Sequence, residues 1–222
     1  MADPIVEEAR QICDALNRGI PRVWDGKACV RKLRQADYQW RQMEWIGWFF
    51  EYEAKRVLIE SLGGGDGPRF GNTTMDYKRE FVWDLKAHVT NSGQKWAVLN
   101  DQEAIQTCIE QFGAVGFVIA CGEAEYDDTG AFKHWHDALK GKRSAYEKER
   151  IRRGAASRRR KAAFALKVYR LLVFGSVDEL AEAKEEGWLG DFQKGMRNAD
   201  GSPRRAKYKV RMDRIPNEHR PG

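Results

Sequence analysis

The sequence predicts an α/β protein with a central mixed β-sheet flanked by helices, and three patterns predict it. A helical period near the N-terminus gives way, after Gly63-Gly64-Gly65, to runs that alternate every second residue. The run Ala114 to Cys121 is continuously apolar, as a strand covered on both faces should be. Helical and extended patterns then interleave toward the C-terminus, the order expected of strands joined by helices. With 222 residues, 42% hydrophobic and 11% aromatic, the chain can bury one sizeable core, so residues 1–222 are expected to form one elaborated domain.

The elements follow in order. Asp3-Pro4 starts a helix, because aspartate caps free amides and proline fits the first helical position. Ile5, Ala9, Ile12 and Leu16 repeat on one face until Gly19 stops it. A second helix is expected from about Asp37 to Leu62, with Trp40, Trp45, Trp48, Phe49 and Phe50 implying burial from several sides. In Phe81 to Val89 the positions Phe81, Trp83, Leu85, Ala87 and Val89 are apolar, while Asp84, Lys86 and His88 share the opposite face. Gly71 to Tyr77 is the expected partner strand, joined through Lys78-Arg79-Glu80. A strand at Trp96 to Leu99 leads to Asn100-Asp101, which are expected to cap a helix running to Phe112, with a DNA contact as the alternative. Past the acidic loop after Gly122, a basic helix is expected from His134 to about Ala165, then a strand at Val168 to Phe174. Ser176 caps a last helix ending near Gly187, and Lys207 to Met212 can form one more strand.

Composition narrows the function classes. No basic-then-apolar leader opens the chain, and no stretch reaches the roughly 18 apolar residues of a membrane span, so a soluble, cytoplasmic protein is expected. Cys13, Cys29, Cys108 and Cys121 have neither zinc-site spacing nor the density of a disulfide scaffold, and read as reduced thiols. The net charge is only +6, but Lys140 to Ala163 carries eleven Lys/Arg against two glutamates, and Lys194 to Gly222 carries nine against three acids. Such a basic C-terminal half, about 132–222, suggests a polyanion partner. Within it Lys142, Arg143, Arg152, Arg153, Arg158, Arg159, Arg160 and Lys161 are the expected DNA contacts, since phosphate contacts supply most of the affinity and arginine can read guanine bidentately.

Carboxylates placed near a core need neutralising. A hard divalent ion such as Mg²⁺ would do so, bound by one or two carboxylates with water and substrate oxygens. Asp76 and Asp84 could supply ligands, with the Leu85 backbone carbonyl as a third. Lys86, on the face of Asp84, could orient or help deprotonate an attacking water and offset phosphate charge. Phosphodiester hydrolysis is the chemistry this set suits. His88 shares that face and either touches a scissile phosphate or is structural. His134 and His136, at i and i+2 on a helix, point apart and are not read as metal ligands.

The set Asp76 followed by Asp84-Leu85-Lys86, with a glutamate-bearing helix before it and a helix and strand after it, resembles the PD-(D/E)XK nuclease superfamily, and within it type II restriction endonucleases. Met75 stands where the family motif has proline. The resemblance implies a restriction-endonuclease-like sheet with its catalytic core at about 37–121. It also implies Asp76 and Asp84 as metal ligands, Mg²⁺ as cofactor and Lys86 as the catalytic lysine. A helix glutamate often completes the site in related nucleases, and Glu44 and Glu51 are the two candidates. Glu44 is preferred because it leaves Gly47 one turn later for close packing. The expected function is sequence-specific cleavage of double-stranded DNA by a homodimer near the prokaryotic nucleoid, with a separately encoded DNA methyltransferase as a possible companion. The alternatives are a structure-specific repair or recombination nuclease and a non-catalytic DNA-binding protein.

Overall fold

A computed structural model describes residues 4–141, 145–155, 159–197, 201–216 and 219. The chain opens with α1 (Pro4–Gly19), β1 (Val23–Asp25), α2 (Gly26–Gln35) and α3 (Trp45–Leu62). Short extended pieces follow, β2 (Gly65–Asp66), β3 (Arg69–Phe70), β4 (Thr73–Thr74) and β5 (Tyr77–Lys78), before the long strand β6 (Val82–Val89). Next come β7 (Trp96–Asp101), α4 (Gln102–Phe112) and β8 (Val115–Tyr126), then α5 (Ala131–Lys140), α6 (Ala145–Arg152) and β9 (Lys161–Phe174). The last elements are α7 (Val177–Glu185), β10 (Leu189–Phe192) and β11 (Lys207–Arg211).

Six strands make one mixed sheet in the order β1-β9-β8-β6-β5-β2. Only β6 and β8 run parallel, with Asp84 beside Phe117 and Leu85 beside Val118, and the segment carrying β7 and α4 joins them. The expected α/β architecture of a mixed sheet flanked by helices is therefore present. One face carries Trp83, Leu85, Val118 and Ala120 into a core with α1, α2 and α3. The other carries Val82, Phe117, Ile119 and Phe174 into a core with α4, α7 and the smaller sheet β10-β11-β7. Both faces of β6 are thus covered, and Asp84, expected on a polar face, is fully buried. Trp83 packs so closely over the neighbouring strand that a Cβ on Gly116 would come within 2.2 Å of the indole, which restricts that position to glycine.

The turn between β5 and β6 is clamped from α1. Glu8, only 3% exposed, accepts hydrogen bonds from the backbone N–H groups of Glu80 (3.2 Å) and Phe81 (3.3 Å) and from Trp83 Nε1 (2.8 Å). One buried carboxylate thus satisfies three donors and fixes how β6 leaves the turn.

Three expectations are corrected. The helix expected from Asp37 begins at Trp45, and the separate helix α2 precedes it. Asp37 (φ 49°) and Gln39 (φ 44°) are left-handed, a conformation that breaks a helix, and Tyr38 N–H folds back onto Leu33 O at 2.8 Å. The expected partner strand Gly71 to Tyr77 is broken into β4 and β5, of which only β5 pairs with β6, through Tyr77 with Trp83 and Lys78 with Val82. The basic helix expected to reach Ala165 gives way to β9, whose first residues pair with the end of β8. Elsewhere the caps fall where expected: the Asp101 carboxylate accepts from Ala104 N–H on α4, and Ser176 Oγ accepts from Glu179 N–H on α7. The four cysteines are free thiols, three of them buried. Among the described residues no helix is long and apolar enough to cross a membrane.

Candidate active site

Because β5 is only two residues long, β6 has a sheet neighbour on that side at Val82 and Trp83 but, among the described residues, none from Asp84 onward. The open edge is where Asp76 sits. Its backbone N–H donates to Trp83 O at 3.2 Å, and its Oδ2 accepts from Leu85 N–H at 2.7 Å. The N–H and C=O of one strand residue point the same way, so the Leu85 carbonyl also faces this edge. Lys86 Nζ lies 3.4 Å from that carbonyl and 3.9 Å from Asp76 Oδ2, and it forms a close ion pair with Asp84 Oδ2. Asp84 Oδ1 accepts from Asn100 Nδ2 at 3.2 Å, so the end of β7 holds the aspartate from the opposite side.

The fourth group arrives from α3. Glu51 acts on Asp76 and Lys86 electrostatically and accepts a hydrogen bond from the Tyr38 hydroxyl. Burial raises its pKa, against the Tyr38 hydrogen bond and the Lys86 charge, which lower it. Asp76 is pushed well above the usual carboxylate range by burial and then by the charge of Asp84. Burial works against the Lys86 ammonium, but the carboxylates of Asp84, Asp76 and Glu51 outweigh it and carry its pKa up to about 12. Two aspartates thus flank one ammonium, with Glu51 acting on it electrostatically from α3, and the quarter-exposed Lys86 opens the cluster to solvent.

Glu44 is not part of this arrangement. It precedes α3 and its carboxylate pairs with Lys161 at the start of β9, because the helix begins one residue later than its own position. Of the two glutamates, Glu51 is the one that acts electrostatically on Asp76 and Lys86, whereas the expected preference was for Glu44. His88 is buried with a lowered pKa caused by that burial. His136 is buried with Nε2 against Trp40 O at 2.9 Å while His134 is exposed, so the two do point apart.

The expected DNA contacts are dispersed. Lys142, Arg143 and Arg158 lie outside the described residues. Arg152 and Arg153 both pair with Glu149 on α6, and Arg159 pairs with Asp128 and lies over the Tyr126 ring at 4.4 Å. Arg160 faces inward, 7% exposed and 3.6 Å from Asp137, because Asp127 N–H bonds to its carbonyl and continues the ladder of β8 and β9. Lys161 is held by Glu44. Sequence reading singled out Asn100, at the end of a strand beside a capping aspartate, but not its contact with Asp84, and Tyr38 carried no local signal.

Among the described residues no group of three or more His, Cys, Asp or Glu side chains forms a ready metal cage. A Mg²⁺ site built from one or two carboxylates, a carbonyl and waters does not require one. The residues fit such an ion chemically: they offer oxygen donors, and two of the carboxyl groups have an ionisation that burial opposes and a bound cation would favour. The sequence matches no protein-family model, and neither a curated protein nor a solved structure matches the chain.

Proposed function

We propose that the protein is a divalent-cation-dependent endonuclease of double-stranded DNA, of the type II restriction kind, acting as a homodimer. The observation that supports it is the convergence of Asp76, Asp84 and Lys86 at the open edge of β6, with Glu51 acting on Asp76 electrostatically from α3. Asp76, Asp84 and the Leu85 carbonyl would hold Mg²⁺, with Glu51 as a further carboxylate, and the ion would supply charge neutralisation at the phosphate and acidify water. The chain's own residues do the rest. Lys86 presents an ammonium beside both aspartates, where it can orient a water and offset charge developing on the scissile phosphate. Asn100 fixes the Asp84 carboxylate and Tyr38 fixes that of Glu51, so neither ligand needs to reorganise when substrate arrives.

The test is incubation with unmethylated plasmid and phage DNA, in Mg²⁺ or EDTA, beside Asp84→Ala and Lys86→Ala. Discrete fragments in Mg²⁺ alone, with each variant slower by about a hundredfold or more, are expected. Full cleavage by both variants would sink the proposal. Preference for branched DNA without sequence bias would select a structure-specific repair nuclease instead.

A further inference from the structure

The cations expected to bind DNA are largely neutralised where they are described, by Glu149, Asp128, Asp137 and Glu44. On α2 the situation is reversed. This helix contains no acidic residue and buries Gly26, Cys29, Val30 and Leu33, which leaves Lys27, Arg31 and Arg34 in one outward stripe. Lys32, on its flank, pairs with Glu53 at 2.7 Å. Lys27, Arg31, Arg34 and, in the next turn, Arg41 form no ion pair with an acid among the described residues; they lie against indoles instead. Arg31 and Lys27 sit 5.4 and 6.0 Å from the centre of the Trp135 ring, and Arg41 and Arg34 sit 4.5 and 5.5 Å from that of Trp40.

The surface is built rather than incidental. Arg41 donates twice to Lys140 O at 3.1 Å, and His136 bonds Trp40 O, so the turn after α2 is tied to α5. The cation–indole contacts hold long side chains in place without cancelling their charge. An ordinary solvated helix spaces acids among its bases, as α6 does with Glu149. A cleft of about 450 Å³ beside Lys27, lined by Asp25, Glu125, Asp127 and Asp128, repels an anion and bounds the stripe on that side. The track for a polyanion therefore runs from Arg31 and Arg34 across the turn to Arg41. From that same turn Tyr38 reaches Glu51 of the candidate active site.

We propose that the outward face of α2, together with Arg41, Trp40 and Trp135, docks the phosphate backbone of duplex DNA. The choice of partner rests on the endonuclease reading. Duplex phosphates fit better than single-stranded bases, because guanidinium groups already lie over the indole faces on which bases would stack.

The test is anisotropy of a labelled duplex in EDTA, titrated with protein between about 50 and 200 mM salt, where each lost phosphate contact lowers the log–log salt slope by roughly 0.9. Arg31→Ala/Arg34→Ala is expected to lower that slope by about 2 and to weaken binding by about tenfold. Arg31→Lys/Arg34→Lys keeps the slope, and unchanged melting of both variants shows that the exposed substitutions leave the fold intact. An unchanged slope in the alanine variant overturns the proposal, as does tighter binding of single strands than of duplex. If wild type cuts DNA with Mg²⁺ but the alanine variant binds as wild type does, this surface alone is wrong. If wild type neither binds nor cuts, both readings fall.

Discussion

Replacing Asp76 by asparagine separates the charge of the site from its shape. Asp76 is 8% exposed and its Oδ2 accepts from Leu85 N–H at 2.7 Å, a hydrogen bond that an asparagine oxygen can keep. What disappears is a buried negative charge. The ammonium of Lys86, 3.9 Å away, favours that charge by about 4 kcal/mol at an effective dielectric of about 20. Against it stand a desolvation penalty of several kcal/mol and the repulsion of Asp84, which shares the same ammonium. The raised pKa of Asp76 says the opposing terms win. Asp76→Asn should therefore stabilise the metal-free protein at pH 8 by about 1 kcal/mol. A carboxyl whose folded pKa is raised destabilises the fold as pH climbs from its unfolded value to its folded one, because the unfolded chain ionises first. The advantage of asparagine is therefore absent below the ordinary carboxylate range, grows as pH rises toward the folded pKa of Asp76, and is complete above it. Mg²⁺ should act in the opposite sense. At a concentration tenfold above Kd it stabilises wild type by about 1.4 kcal/mol, and the variant, short of a ligand, by less. Urea unfolding followed by tryptophan fluorescence, in EDTA and in Mg²⁺, measures both effects. A variant less stable than wild type in EDTA at pH 8, with the same response to Mg²⁺, would refute the reasoning and make Asp76 a structural ion-pair partner.

Two further outcomes concern the frame. Glu8→Ala leaves the N–H groups of Glu80 and Phe81 and the Trp83 indole without their acceptor, and should cost about 3 kcal/mol in urea unfolding, with Glu8→Gln recovering part of it. Burial lowers the His136 pKa from 6.5 to about 4, so the ring is neutral when folded and protonates more readily when unfolded. Its contribution is complete above pH 6.5 and lost as pH falls toward about 4, at up to about 1.4 kcal/mol per unit, a slope that His136→Gln should flatten in pH-dependent unfolding.

The alternation from Phe81 to Val89 and the apolar run from Ala114 were legible because strand faces repeat every second residue, and Asp76 and Asp84 could be connected from their positions at the two ends of one turn. Three things were not. Asp84 read as lying on a polar face, and its full burial was not legible, because the residues that cover it, from α4 and the smaller sheet, come from distant parts of the chain. The start of β9, Lys161-Ala162-Ala163, has the alanine and charge content of a helix, and its antiparallel pairing with Tyr126 and Glu125 on one side and Asp25 on the other makes it a strand. Glu51 and Glu44 were equivalent on a helical projection until the left-handed residues Asp37 and Gln39 shortened the helix and set Glu44 outside it. Charge content was likewise a poor guide to polyanion binding. The run richest in arginine is neutralised by Glu149 within it and by Asp128, Asp137 and Glu44 from outside it, while Lys27, Arg31 and Arg34 of the modest α2 form no ion pair among the described residues.

The open edge of β6 has a consequence for the life of the protein in a crowded solution. A strand with unpaired N–H and C=O groups is an invitation to the strand of another molecule, and proteins commonly protect such borders with charge. Here the border from Asp84 onward is occupied by Asp76, bonded to Leu85 N–H, and by the Lys86 ammonium. Any intruding strand would have to displace that hydrogen bond and strip water from ionised groups. The charges of this cluster thus also oppose pairing between neighbouring molecules, so on the proposed function removing them together should cost solubility as well as activity.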